Sequence, residues 1–194
     1  MFKTHQPMIA RYARQKPENF CRVARFVMLT IQQPLWTVGT AMRDYDRNGL
    51  QSKFLFSNKR AGCAHFEAHA GDVWEHAEAL SLHPEALVAY LAEQPGLGLA
   101  KAGFLAQLCW GEVGCLDTHN LERYEVHPTT FGNYKAASPA RRARLANRYV
   151  RYCLQFGGCE MLWDSWCTYV APLSKNYRDA EHVSSLHCEF IMEA

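Results

Sequence analysis

The sequence predicts an all-α protein on three observations: apolar residues recur at three- and four-residue spacing, no segment alternates apolar and polar residues over a convincing strand length, and Pro and Gly fall where helices start and stop. Of the 194 residues 48% are hydrophobic and 12% aromatic, which suits a packed core and excludes a disordered or low-complexity chain. One compact domain across residues 1–194, built as two lobes, is expected. Lys and Arg number 21 against 19 Asp and Glu, so any grip on a polyanion has to come from a local patch. No apolar run approaches the roughly 18 residues of a membrane helix, and Met1-Phe2-Lys3-Thr4-His5-Gln6-Pro7 lacks the apolar stretch of a signal peptide. The expectation is a cytoplasmic protein with no membrane partner, its eight scattered cysteines reduced.

Phe20, Val23, Ala24, Val27 and Ile31 make a helical stripe behind Pro17-Glu18, interrupted by Pro34, and predict one long buried helix. From Asp44 to Gly71 the chain turns polar, with Asn48-Gly49, Ser57-Asn58 and Gly62, and reads as loops and short helical turns. Asp72 is placed to cap a helix carrying Val73, Trp74, Ala77 and Leu80, and Pro84 opens another carrying Leu87, Val88 and Leu91. Gln94-Pro95-Gly96-Leu97-Gly98 is a tight turn, after which Leu105 and Leu108 resume helical spacing, so this unit reads helix, Gly-rich hairpin, helix. Glu125 to Ala137 is an irregular crossing loop. Ser138-Pro139 starts a helix with Leu145, Tyr149, Tyr152, Cys153 and Phe156 on one stripe, stopped by Gly157-Gly158. The tail carries Trp163 and Trp166 at i,i+3 and then a polar stretch to Ala194; these two and Trp110 read as core anchors.

A Gly-x-Gly turn leaves successive N–H groups at a helix N-terminus, where they can hold a phosphate; the plainer reading is that a short loop needs glycine for steric reasons. Here the turn sits in Pro95-Gly96-Leu97-Gly98-Leu99-Ala100-Lys101-Ala102, followed after one helix by Cys115-Leu116-Asp117-Thr118-His119. The pair resembles the helix-hairpin-helix DNA glycosylase superfamily, whose endonuclease III branch carries Leu-Pro-Gly-Val-Gly-x-Lys-Thr-Ala, a helix and then Val-Asp-Thr-His. Thr30-Ile31-Gln32-Gln33 is similar to the Ser-x-Gln that ends an apolar helix in that family. The resemblance covers about Leu80 to Leu121.

The resemblance implies a compact two-lobed helical fold of the glycosylase type, with a hairpin-bearing lobe at about 31–117 and a second lobe from about 1–30 plus 118–194. It implies DNA as partner, with Gly96, Leu97 and Gly98 on a phosphate, Gln32 or Gln33 approaching the DNA or wedging into its gap, and His119 beside them. No cofactor is implied other than a monovalent cation at the hairpin. Asp117 would be the catalytic carboxylate at the mouth of a pocket for a flipped nucleotide. Breaking an N-glycosidic bond develops positive charge on the sugar, which an anion stabilises, and the same group can orient or deprotonate the attacking water or amine. The competing reading is that Asp117 only caps the helix starting at Thr118. Aligning the glycines puts Ala100, not Lys101, where bifunctional members carry their Schiff-base lysine. Lys101, rotated by about 100° around the helix, is expected to face elsewhere, which favours hydrolysis by water. Two alternatives stay open: attachment of an amine or amino acid to an activated hydroxymethylpyrimidine in DNA, and a catalytically inactive DNA-binding scaffold.

Cys153, Cys159, Cys167 and Cys188 are spaced too widely for the family's iron–sulfur cluster. Cys63, His65, His69 and His76 form a Cys-x-His-x-x-x-His grouping of zinc-ligand types without a second tight pair, against which stands the reading of solvent-facing histidines. Cys109 and Cys115 lie in apolar surroundings and read as small core residues rather than nucleophiles partnered by His119. Arg141, Arg144, Arg148 and Arg151 share one helical face with no acidic residue from Ala140 to Gln155, a stripe able to cross a phosphate backbone or simply to face water.

Overall fold

The computed structural model describes residues 5–192, which contain helices, turns and loops and no strand. Ten α-helices follow one another: α1 (Gln6–Ala13), α2 (Pro17–Leu29), α3 (Leu35–Asn48), α4 (Ser57–Ala79), α5 (Pro84–Glu93), α6 (Leu99–Cys109), α7 (Thr118–Arg123), α8 (Pro139–Gln155), α9 (Gly158–Val170) and α10 (Ala180–Met192). The all-α class is as expected. No described helix is long and apolar enough to cross a membrane, and all eight cysteines are free.

α2 opens on Pro17, buries Phe20, Val23, Ala24 and Val27, and ends at Leu29, so that Ile31 falls in the following loop rather than on the stripe. It lies at the centre of the molecule, against α1, α3, α4, α6 and α10. α6 is buried from Ala102 to Cys109. One continuous cluster of buried apolar side chains draws residues from all ten helices, and contacts of α2 with α4 and of α5 with α8 run across the expected lobe boundaries.

The polar reading of residues 44–71 is corrected: this stretch holds the end of α3, a 3-10 turn at Gly49–Gln51 and most of α4. α4 buries Lys59, Gly62, Cys63 and Phe66 at i, i+3, i+4 and i+7. The spacing is helical, but a lysine and a glycine occupy two of the four places, so no apolar stripe announces it. Gly62 is small because the Met28 thioether occupies the space, a Cβ there lying 2.7 Å from Met28 Cε. The fully buried Lys59 donates from Nζ to Leu29 O (3.2 Å) at the C-terminal end of α2, above the Phe56 ring. Burial, reinforced by the positive charge of Lys101, lowers its pKa to about 8. The helix bends at His69 (φ −129°, ψ 17°), and Asp72 lies inside it rather than at a cap. The polar tail is likewise helical: α10 turns Val183, Ser184, His187 and Ile191 inward.

The expected helix-hairpin-helix unit is present as α5, the turn at 94–98 and α6. Gly96 takes φ +79°, which favours glycine, and Gly98 is the N-cap of α6. α8 starts behind Ser138, whose side chain accepts from Arg141 N, as its sequence indicates.

Candidate active site and hairpin

The loop after α2, the first turn of α6, the segment 115–119, α9 and α10 enclose a cavity of about 670 Å³. Its lining includes Asp117, Lys101, His119, Gln32 and Gln33, so these sequence candidates come together in space. Gln32 is exposed in the left-handed region (φ 54°), while Gln33 Oε1 accepts from Thr37 Oγ1 (3.1 Å). The rim exposes Trp36 and Leu173; Trp163 and Trp166 form walls. The last two are thus cavity walls as well as anchors, a role their i,i+3 spacing left open. Trp36 and His187 went unnoticed because they lie on α3 and α10, helices the sequence pattern hides, and Tyr177 because it lies in the loop before α10.

Asp117 lines the cavity and also caps a helix. Oδ1 accepts from Asn120 N (3.1 Å) and caps α7, while Oδ2 accepts from Trp166 Nε1 (2.8 Å) on α9. The strand of chain leading to it is held atom by atom: Cys115 N donates to Gln107 Oε1 (3.1 Å), Leu116 N to the Tyr149 hydroxyl (2.8 Å), and Asn120 Nδ2 to Cys115 O (2.7 Å). A carboxylate fixed in this way has little reorganisation left to do when charge develops beside it. Burial raises the Cys115 thiol well above its ordinary pKa, and Cys109 likewise, so neither is an available thiolate.

Lys101 faces the cavity, contrary to expectation. Both Ala100 and Lys101 line it, because the cavity wraps the first turn of α6 over an arc wider than one residue's rotation. Lys101 Nζ donates to Thr30 Oγ1 (3.0 Å), whose own hydroxyl donates to Val27 O. Lys101 and Lys59 therefore both meet the negative end of the α2 dipole.

At the least exposed end of the cavity stands His187, 1% exposed, its Nδ1 2.9 Å from Val183 O. Burial pushes its pKa down to about 4 from the ordinary 6.5, against the opposing pull of that hydrogen bond. Between those values the unfolded chain binds a proton that the folded ring excludes. Stability should therefore fall on acidification from pH 6.5 toward pH 4, by about 3 kcal/mol at the lower end for this group, with no contribution above pH 7. Urea midpoints at pH 7.5 and 4.5 measure the slope, and His187→Leu is expected to remove this part of it.

The hairpin opens onto a second groove of about 520 Å³ lined by Gly98, Asn133 and Lys135; it adjoins the cavity, the two sharing Ala100, Lys101, Leu116, Leu121 and Pro128 in their linings. The amides of Gly96 and Gly98 make no hydrogen bond to a described residue. Leu97 departs from its assignment: its N–H donates to Gln94 O (3.2 Å) and its side chain is buried, so it braces the turn and offers no free donor. Gly98 has ordinary extended backbone (φ −126°, ψ −176°), and nothing lies within 4 Å of where its Cβ would be. Neither strain nor packing demands glycine there. Gln94 O also accepts from Lys135 Nζ (3.3 Å), which places a side-chain cation on that hairpin carbonyl.

Arg141, Arg144, Arg148 and Arg151 are exposed on α8 and pair with no described carboxylate, but none lines the cavity or the groove. The same helix sends Tyr149 toward the groove, and the four arginines sit about 80–160° around from it. Cys63, His65, His69 and His76 are spread along α4. Cys63 is buried, His65 Nε2 bonds Gln94 Oε1 (2.9 Å), the His65 and His69 rings lie 4.9 Å apart, and the His76 ring lies tilted 4.3 Å from that of Tyr90. Among the described residues no three His, Cys, Asp or Glu side chains are grouped to hold a metal. No family model, curated protein or solved structure matches the chain.

Proposed function

We propose that this protein acts on a base taken out of the DNA stack, with Asp117 as the carboxylate that stabilises positive charge on the sugar while water attacks and the N-glycosidic bond breaks. The observation that carries the reading is a fixed carboxylate on the wall of a nucleotide-sized cavity that adjoins the groove of a hairpin with unbonded glycine amides. In this reading the electrons of the glycosidic bond leave with the base, water supplies the oxygen at the sugar carbon, and its proton passes to Asp117 or solvent. The Lys101 ammonium faces the negative charge that builds on the departing base. The hairpin holds a phosphate through Gly96 and Gly98, with the Lys135 side chain on the neighbouring Gln94 carbonyl.

The test is incubation of wild type and Asp117→Asn with duplex oligonucleotides bearing damaged, mismatched or hydroxymethylated bases, read by mass spectrometry. Free base lost in the variant supports hydrolysis; a mass gain lost in the variant replaces water by an amine acceptor at the same site. No change on any substrate, with salt-sensitive DNA binding intact, overturns catalysis and leaves a binding scaffold. Borohydride treatment during turnover is expected to trap no protein–DNA adduct. An adduct that disappears in Lys101→Ala would make Lys101 the nucleophile.

Gly98→Ala separates the hairpin's function from its folding. The extra methyl meets nothing in the protein, so stability should change by less than about 1 kcal/mol. On a phosphate it intrudes, and DNA affinity by fluorescence anisotropy is expected to fall about tenfold, with a shallower salt dependence. Unchanged affinity removes the hairpin from the DNA interface.

A further inference from the structure

The least exposed wall of the cavity is aromatic. The His187 ring packs 4.7 Å from Trp163, 5.5 Å from Trp166, 6.1 Å from Phe104 and 5.6 Å from Phe26, centroid to centroid, and all but Phe26 also line the cavity. The indole donors of this wall are already engaged. Trp163 Nε1 donates to Ser184 Oγ (3.0 Å) and Trp166 Nε1 to Asp117, while Gln107 uses one N–H on Cys159 O and its oxygen on Cys115 N.

His187 differs. A carbonyl oxygen only accepts, so the bond to Val183 O places the proton on Nδ1, and in the neutral ring Nε2 is left with a lone pair. Nδ1 is turned back toward the helix that carries it, which sends Nε2 to the far side of the ring. There it makes no hydrogen bond with any described residue. Among the rings of this wall His187 Nε2 is thus an unused acceptor, and a polar group that reaches it has to be a donor.

Building on the reading of the cavity as a base pocket, we propose that His187 Nε2 is a specificity-determining group that accepts a hydrogen bond from an N–H on the pairing edge of the extruded base, held against Trp163 and Trp166. A base that presents a lone pair or a methyl group at that position leaves the buried acceptor unmet. The substrate class is accordingly a nucleobase that donates an N–H, such as the ring imide of thymine or uracil or an exocyclic amine.

The experiment uses duplexes with one bulged base, which needs no extraction: thymine, N3-methylthymine, cytosine or N4,N4-dimethylcytosine, titrated by fluorescence anisotropy against a fully paired duplex. For wild type, methylation of whichever of thymine and cytosine binds better should weaken binding about tenfold or more, the size of one lost hydrogen bond at a buried acceptor. In His187→Leu, an apolar side chain in apolar surroundings, methylated and unmethylated bulges should bind within about twofold of each other. His187→Gln, which keeps an acceptor, should restore part of the discrimination. Equal binding of methylated and unmethylated bulges by wild type, or full discrimination retained by His187→Leu, overturns the role of His187 while preference for bulged over paired DNA leaves the base pocket standing. No preference for any bulged duplex removes the base pocket itself, and this inference with it.

Discussion

Asp117→Asn is expected to lower turnover by about 10²–10³-fold or more while DNA affinity stays within about twofold, because the carboxylate acts on charge that exists only as the bond breaks. The substitution also carries a structural cost that can be measured separately. Asp117 meets two donors, Asn120 N and Trp166 Nε1, with two oxygens. Asparagine has one carbonyl oxygen and turns an NH₂ toward the other donor, leaving it unmet at a cost of about 1–3 kcal/mol. For a chain of this size each kcal/mol corresponds to about 2–4 °C in Tm, so a modest fall by circular dichroism should accompany the catalytic loss. Assays well below that Tm keep the two effects apart. A variant that melts early and turns over at the wild-type rate would reduce Asp117 to a helix cap.

Gly103→Ala is expected to destabilise the core by about 3 kcal/mol. A Cβ at position 103 would overlap the Tyr149 hydroxyl and lie 2.6 Å from its Cε1, while both residues are buried. Tyr149 has no room to yield without dropping its bonds: its hydroxyl donates to Gly114 O (3.0 Å) and accepts from Leu116 N, one residue before Asp117. The defect should therefore reach the site and depress turnover beyond what the stability loss explains. Tyr149→Phe gives the comparison, since it strands the same buried N–H and C=O at about 1–3 kcal/mol. Because the worst overlap involves the hydroxyl that Phe lacks, the double variant should lose less stability than the sum of the two singles in urea titrations. Additive losses would mean that Gly103 and Tyr149 do not act through one contact.

Four helices were legible from local rules. α2, α5, α6 and α8 each pair a Pro, Gly or Ser boundary with an apolar stripe, and those boundary residues act on their own backbone whatever surrounds them. The Gly-x-Gly turn and the capping Asp117 were legible for the same reason. α3, α10 and the first half of α4 were not, although the second half of α4 was read as a helix carrying Val73, Trp74 and Ala77. Apolar periodicity assumes that buried means apolar, and the inward faces of α4 and α10 hold Lys59, Gly62, Ser184 and His187.

Those polar residues are tolerated inside only because remote segments meet them. Lys59 reaches Leu29 O at the end of another helix, and Ser184 accepts from Trp163 Nε1 and from His5 N. The sequence by itself determined the helical class, the hairpin and the carboxylate with its cap. Only the tertiary structure decided that Lys101 faces Asp117's cavity, that Leu97 braces the turn, that the α8 arginines stand apart, and that Trp163, Trp166 and His187 close the pocket. A cap or a turn is settled within a few residues by backbone geometry, whereas a cavity wall is settled by which distant helices pack together and which polar atoms they leave unpartnered.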